Sequence, residues 1–200
     1  MIFFGASGHA KVVIEAWMSS GGKVSAVIDD DCSIKNILDF PVTCVYSPQD
    51  FNARELCISI GSNKNRKKIA GLLPAKFQSV IHPRTIVSTT AHIGPGTVIM
   101  AGVVINASAI IGEHVILNTS CVVDHDCVID GFAHISPNAT LCGGVCVGEG
   151  SHVGAGATII QNIKIGKWAT IGAGSVVLED VPDYAVVVGV PGKTIKFDKK

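Results

Sequence analysis

Rings and charges are both scarce in this chain. Aromatic residues make up 6% of it and Asp, Glu, Lys and Arg together only 16%, where a soluble domain usually carries about a quarter of its residues as charge. The charges present cancel, 16 basic against 16 acidic, which argues against nucleic acid or an anionic membrane as the main partner. No apolar run approaches the ~18 residues of a membrane-spanning helix. The segment MIFFGASGHA has no basic n-region and only a short apolar run, so it does not read as a secretory signal. The seven cysteines are odd in number and contain no Cys-x-x-Cys pair; they read as reduced thiols, which suggests a cytoplasmic setting. Disorder conflicts with the 48% hydrophobic content, and a coiled coil with the 22 glycines.

What the chain has instead is a period. Every sixth residue from Ile81 through Val177, 17 positions in all, is Ile, Val or Leu. Four residues after each comes a small or β-branched side chain, such as Thr97, Ala109, Cys121, Ala133, Ser151 or Ala169. A helix would repeat near 3.6 and an amphipathic strand at 2. A period of six fits one short strand plus a corner, with three corners closing a triangular coil of 18 residues. The large aliphatic fills the prism axis and the small residue fits under the turn. Glycines after the aliphatic (Gly94, Gly112, Gly148, Gly172) are expected to supply left-handed corner backbone. Coils stack at about 4.8 Å, so between five and six coils make a prism roughly 27 Å tall. Solenoids need capped ends, for which residues 183–200 and the N-terminal region are the candidates.

Residues 1–80 follow a different pattern. Ile2–Phe4 and Lys23–Ile28 read as strands, Ala10–Met18 as an amphipathic helix with Val13, Ala16 and Trp17 inward, and Leu56–Ile60 as a further strand before a basic helix over Lys64–Leu72. That order is a small Rossmann-like βαβ unit with a parallel sheet. The expected division is therefore 1–80, an α/β subdomain, and 81–200, a parallel β-helix with a C-terminal cap.

Two constellations carry chemistry. Gly5-Ala6-Ser7-Gly8-His9 falls between the first strand and first helix, where backbone N–H groups can meet a phosphate. It is not Gly-x-Gly-x-x-Gly, so a dinucleotide is only weakly supported. Asp29-Asp30 and Gly61 end neighbouring strands at the same edge, which favours a nucleotide-sugar pocket over a bare tight turn. The second is Val123-Asp124-His125-Asp126-Cys127, with His125 outward and flanked by carboxylates that would fix its tautomer and raise its basicity. One coil on stands Gly143, which clears space over the imidazole and exposes an N–H suited to an oxyanion. His152 stands over His134 at the same spacing, either a ligand contact or a solvent-facing pair. The column Pro137, Ala155, Ala173 is small enough for a thin ligand or a second subunit. Cys121 and Cys127 sit at inward positions and read as core. The seven histidines contain no His-x-x-x-x-His pair, so a metal is not expected.

The combination of Gly5-Ala6-Ser7-Gly8-His9, Asp29-Asp30, Ile60-Gly61-Ser62-Asn63 with Arg66-Lys67-Lys68, Val115–Ser120, Asp124–Cys127 and Gly189-Val190-Pro191-Gly192-Lys193 resembles the hexapeptide-repeat sugar acetyltransferases of the NeuD/PglD type almost end to end. Among these, the motifs are most similar to UDP-4-amino-sugar N-acetyltransferases of bacillosamine synthesis. The resemblance implies a left-handed β-helix, acetyl-CoA as co-substrate, a UDP-linked 4-amino-4,6-dideoxy sugar as acceptor, and a homotrimer with CoA between prisms. It implies His125 as general base supported by Asp126, where some relatives carry Glu, and Gly143 as oxyanion donor. Ser7, Gly8, His9, Asp29, Asp30 and Gly61 would hold the UDP-sugar. Asn118, His134, Ala155 and Ala173 would meet acetyl-CoA. O-acetylation of a sialic acid uses the same prism and histidine and is the competing enzymatic reading. A structural hexapeptide protein without chemistry is the other; His125 and the small 137/155/173 column speak against it.

Overall fold

The computed structural model describes residues 1–52 and 54–198. The chain starts with β1 (Ile2–Phe4), α1 (Gly8–Ser19), β2 (Ala26–Ile28), the hairpin β3 (Asn36–Ile37) and β4 (Phe40–Thr43), then β5 (Glu55–Ile58), α2 (Asn63–Leu72) and β6 (Lys76–Phe77). They form a six-stranded sheet in the order β3-β4-β2-β1-β5-β6, with β1 pairing in parallel to both β2 and β5. Alternation along β1 sorts its side chains to two faces. Phe3 joins Ala10, Val13 and Ile14 of α1, while Ile2 and Phe4 join Leu56, Ile58, Ile69 and Leu73 on the α2 side. Trp17, expected inward, is only partly buried there, its indole N–H donating to the Lys23 carbonyl.

From β7 (Val80–Ile81) to β23 (Val176–Val177) the chain makes two-residue parallel strands that pair with the strand 18 residues on, as in Val98↔Ile116 and Ile116↔His134. Three sheets result, the flat sides of the prism: one through Val98 and His134, a second through Val122 and Thr140, a third through Val128 and Cys146. This is the left-handed parallel β-helix expected from the period of six, and its axis is a single aliphatic core from Ile99 to Val187. The small residues Thr97, Ala109, Cys121, Ala133, Ser151 and Ala169 are buried at the corners.

The corner backbone differs from expectation. Positive φ recurs at every sixth residue from Gly96 to Gly174, three positions after the axial aliphatic, and is borne by Asp126 (φ 59°), Phe132, Asn138, Asn162 and Trp168 as well as by glycine. Gly94, Gly112 and Gly148 serve a different purpose. A Cβ on any of them would lie 2.6–2.7 Å from the backbone of the next coil. Stacking distance, not handedness, demands glycine there.

The ends are closed unequally. β24 (Ala185–Val188) extends the first prism sheet and β25 (Lys193–Phe197) folds back on it antiparallel, burying Ala185 and Val187 over the axis. The N-terminal region packs against the side of the prism instead of its base, so Ile81 of the first coil stays 38% exposed. Val80, Val98 and Met100 complete the α1 core. Arg66 of α2 is fully buried at this junction. Its Nε donates to the His114 carbonyl (2.8 Å), Nη2 to Phe132 (2.8 Å) and to Asn63 Oδ1 (2.9 Å), and Nη1 to Ile60 (3.1 Å). No carboxylate shares the pocket among these contacts; carbonyl oxygens satisfy the guanidinium.

One cysteine expectation is corrected. Cys32 and Cys44 are joined as a disulfide, with Cα atoms 5.2 Å apart, so the seven are not all free thiols. Parallel pairing of β2 with β4 (Ile28↔Thr43) brings the two strand ends together, a proximity that a sequence separation of 12 does not advertise. Among the described residues no helix is long and apolar enough to cross a membrane.

Gly148→Ala is expected to cost about 1–3 kcal/mol, the usual penalty of forcing atoms into a filled interior, read as a lower urea midpoint. An unchanged midpoint would show that the coil spacing is slack.

Candidate active site

In the N-terminal sheet the chain runs from β1 out to β2 on one side and from β5 out to β6 on the other. The strand order therefore reverses beside β1, the place where open α/β sheets leave a crevice at their carboxyl ends. A cleft of about 560 Å³ lies there, lined by Gly5, Ser7 and His9 after β1, Asp29 and Asp30 after β2, and Gly61 and Ser62 after β5, with Lys68 at its rim. Gly5 has φ +114°, and a Cβ on it would meet Ile60 Cγ1 at 2.7 Å, so the turn requires glycine. Ser7 caps α1 without a side-chain bond; the Ala10 N–H turns back to the Ser7 carbonyl (3.0 Å), while among the described residues no hydrogen bond engages the Gly8 and His9 N–H groups beside the cleft.

The two aspartates are less free than their sequence suggests. Asp29 accepts from the Ala6 N–H (2.6 Å) and the Asp31 N–H (2.9 Å), so it holds the glycine loop in shape. Asp30 accepts the Tyr46 hydroxyl, and Tyr46 packs edge-on against Phe4 and Phe51. Tyr46 supports the site from behind Asp30, and the sequence does not mark it, because only the tertiary fold brings the segment after β4 over the β2 end.

Beside Gly61 the cleft meets the first prism face. His9 and His134 stand 6.3 Å apart, and His134 stacks on His152 at 4.9 Å and 15°. Asn118 Nδ2 lies 3.1 Å from His134 Nε2, and Ser136 Oγ lies 2.7 Å from His152 Nε2. Burial pushes His9 down to about 4 and His134 to about 3; the Arg66 guanidinium adds to both, and for His134 the neighbouring His152 adds more than Arg66. His152 is lowered by burial and Arg66 as well. These rings are neutral at physiological pH. A second hollow of about 350 Å³ shares Gly61 and Ser62 with the cleft and runs past His134, His152 and Trp168.

His125 occupies another edge of the prism. Its Nδ1 lies 2.7 Å from Asp126 Oδ2, with the two side chains 60% and 65% exposed. That hydrogen bond, then the charge of Asp124, raises its pKa above the usual imidazole value. A Cβ on Gly143 would sit 2.5 Å from His125 Cε1 and 2.6 Å from Nε2, so only glycine leaves the ring in place. Asp124, His125, Asp126, Cys142, Gly143, Gly144, Gln161 and Asn162 surround a hollow of about 430 Å³. The Gly143 carbonyl accepts from the Asn162 N–H (3.0 Å); among the described residues no hydrogen bond engages the Gly143 N–H. Together these groups line one hollow with an imidazole able to accept a proton and a main-chain N–H able to donate a hydrogen bond.

The expected residues thus fall into separate groups. Ser7, Gly8, His9, Asp29, Asp30 and Gly61 converge at the strand ends. Asn118 and His134 join them from the prism face, nearer to His9 than an acetyl-CoA role alone suggests. His125, Asp126 and Gly143 form their own group, sharing no lining residue with the cleft. Ala155 and Ala173 are exposed on the remaining edge, stacked with Pro137 through Gly156 N–H to Pro137 (2.9 Å) and Gly174 N–H to Ala155 (2.8 Å). A prism side of six residues separates edges by roughly 15–20 Å, too far for one hexose to bridge within a chain. No His/Cys/Asp/Glu cluster fit for a metal occurs among the described residues.

Comparison with known proteins identifies the family. The PglD N-terminal domain family matches residues 1–73, and the bacterial transferase hexapeptide (six repeats) family matches residues 147–179. Perosamine N-acetyltransferase from Caulobacter crescentus, crystallised as a variant with CoA and GDP-perosamine, superposes with a TM-score of 0.92 at 37% identity, covering 98% of this chain and 96% of that one. The chain belongs to the NeuD/PglD-type hexapeptide-repeat sugar acetyltransferases. Within that family, the acetyltransferase domain of PglB from Neisseria gonorrhoeae FA1090, in complex with acetyl coenzyme A, matches with a TM-score of 0.86 and 37% identity over 97% of this chain and 98% of that one. UDP-N-acetylbacillosamine N-acetyltransferase from Bacillus subtilis (strain 168) is 42% identical over 106 residues. That match spans 48% of this chain and about half (49%) of that curated relative.

The neutral histidines of this acetyltransferase fold predict acid sensitivity. Unfolded, His9 and His134 titrate near 6.5; folded, near 4 and 3. Between those values the unfolded chain binds more protons, so their contribution is complete above pH 6.5 and is lost as pH falls toward 3–4. The melting temperature should drop on acidification from pH 7 to 4.5, and less steeply in His134→Gln. Identical slopes for the two proteins would contradict neutral burial of His134.

Proposed function

We propose that this protein transfers the acetyl group of acetyl-CoA to the 4-amino nitrogen of a UDP-linked 4-amino-4,6-dideoxy sugar, directly and without a covalent enzyme intermediate. Residues 1–80 form the nucleotide-sugar unit and residues 81–200 the acetyl-CoA unit. The observation that carries this reading is the pairing of two sites in one chain: a strand-end cleft with an open helix N-terminus, and an exposed, carboxylate-supported imidazole under a glycine.

In the proposed reaction the sugar amine attacks the thioester carbonyl while His125 Nε2 takes its proton. The C–N bond forms, the tetrahedral oxyanion accepts from the Gly143 N–H, and the C–S bond breaks. The departing CoA thiolate recovers the proton from the imidazolium, which returns His125 to its neutral form. Asp126 stabilises that imidazolium through the hydrogen bond to Nδ1. Ser7, Gly8 and His9 offer N–H groups to the diphosphate, with Asp30, set by Tyr46, toward the ribose and base. His134 and Asn118 lie where hexose and acetyl group meet, and Ala155 and Ala173 leave a smooth edge for the pantetheine arm.

The separation of edges gives the assembly a reason. His125 of one copy must approach the cleft of another, as in a homotrimer of side-by-side prisms. Few charges and small exposed columns suit such packing.

The nucleotide is the point at which relatives differ, since one is named for a UDP sugar and another was crystallised with a GDP sugar. Thermal shift decides it: UDP should raise the melting temperature and GDP should not, and the reverse pattern would replace UDP in this proposal. Release of free thiol from acetyl-CoA should occur with a UDP-4-amino sugar and not with free sialic acid. Release with sialic acid alone would favour O-acetylation. His125→Ala should lower kcat by about 10²–10⁴-fold, the usual contribution of a general base. Full activity in that variant would remove His125 from the mechanism.

A further inference from the structure

The backbone and side chains around His125 include a contact that the proposed reaction does not use. Asp124 precedes His125, and one oxygen of its carboxylate, Oδ1, accepts two hydrogen bonds. The first comes from Asn106 Nδ2 one coil below (2.7 Å) and the second from the N–H of His125 itself (2.8 Å). Asn106 and Asp124 stack in register because their strands pair, Val104 with Val122 and Ile105 with Val123. The oxygen thus ties the main chain of His125 to the coil beneath it. At this corner the backbone turns into the left-handed region at Asp126, so a small rotation at residue 125 would swing the imidazole off Asp126 and out from under Gly143.

We propose that Asp124 and Asn106 are a positioning pair for His125: Asn106 orients the Asp124 carboxylate, which fixes the His125 backbone and places a second negative charge beside the imidazole. This rests on the reading of His125 as the base. Neither residue touches the reacting atoms. The same two hydrogen bonds hold the Asp124 carboxyl below the usual carboxylate range, so it is ionised wherever His125 titrates. Its charge is the second largest influence raising His125, after the Asp126 hydrogen bond. The other groups facing the ring are Gly143, Gly144, Gln161 and Asn162, which carry no charge, and the Cys142 thiol. Among the described residues, Asp124 and Asp126 are therefore the two carboxylates beside the ring.

The pair separates into two substitutions. Asp124→Asn keeps an acceptor oxygen for both hydrogen bonds and removes the charge. Asn106→Ala keeps the charge and removes the tie. Assayed as the whole enzyme with acetyl-CoA and its sugar nucleotide, Asp124→Asn should move the acid limb of the kcat/KM–pH profile to lower pH, because a less supported imidazole loses its proton earlier. Asn106→Ala should lower kcat roughly tenfold, well short of complete loss of a general base, with KM for acetyl-CoA unchanged and the acid limb also displaced to lower pH, because the ring swings off Asp126. Melting temperatures within a degree or two of the parent would show both variants folded, as expected for partly exposed corner residues. The inference is overturned if both folded variants keep the parental kcat and pH profile while His125→Ala is inactive. If His125→Ala retains full activity, the reading of His125 as base fails first, and the positioning role fails with it.

Discussion

The prism follows from one constraint: each coil must stack on the next in register, strand residue against the strand residue 18 positions on, with main-chain hydrogen bonds such as Val98 N–H to the Val115 carbonyl joining the coils. The spacing of ~4.8 Å leaves no room for a Cβ at Gly112 or Gly148 and none for rings at the axis. The chain answers with Ile, Val and Leu inside, small residues beneath the corners, and a left-handed residue every six positions. Aromatic scarcity and glycine abundance are two consequences of that geometry. Stacking also turns the surface into columns, so a residue's neighbour across the sheet is known from arithmetic: Gly143 over His125, His152 over His134, Asp124 over Asn106.

The columns separate two electrostatic environments. On the face covered by the N-terminal sheet, burial and the Arg66 guanidinium hold His9, His134 and His152 neutral. On the open edge, two carboxylates strengthen His125 as a proton acceptor. Neutral imidazoles accept or donate single hydrogen bonds, which suits binding; a supported imidazole suits proton transfer. Arg66 contributes to the first environment twice, through its charge and by clasping Gly61 and Ala133, the residues flanking the cleft and His134.

Much of this was legible in the sequence because the repeat is local. The axial positions, the inward Cys121 and Cys127, the Gly143 stack and the glycine turn after β1 all follow from spacing. What escaped depends on contacts between distant segments. Tyr46 reaches Asp30 only once β4 lies beside β2, and the same pairing joins Cys32 to Cys44. Arg66 stood within a recognised basic stretch, yet nothing local marks it as the buried one among Lys64, Lys67 and Lys68. The glycine roles are not separable by sequence, because left-handed φ and close approach both call for glycine and only the stacked coils tell them apart.

If His125 and the strand-end cleft, which share no lining residue within one chain, meet across two copies, mixed assemblies will reveal it. Two folded, inactive variants, His125→Ala and Gly61→Trp, the latter filling the cleft, are co-expressed and assayed for thiol release from acetyl-CoA. The mixture should regain a substantial fraction of parental activity, since an intact His125 from one copy can face an intact cleft on the other. A mixture as inactive as either variant alone, in assemblies shown to contain both, would contradict it.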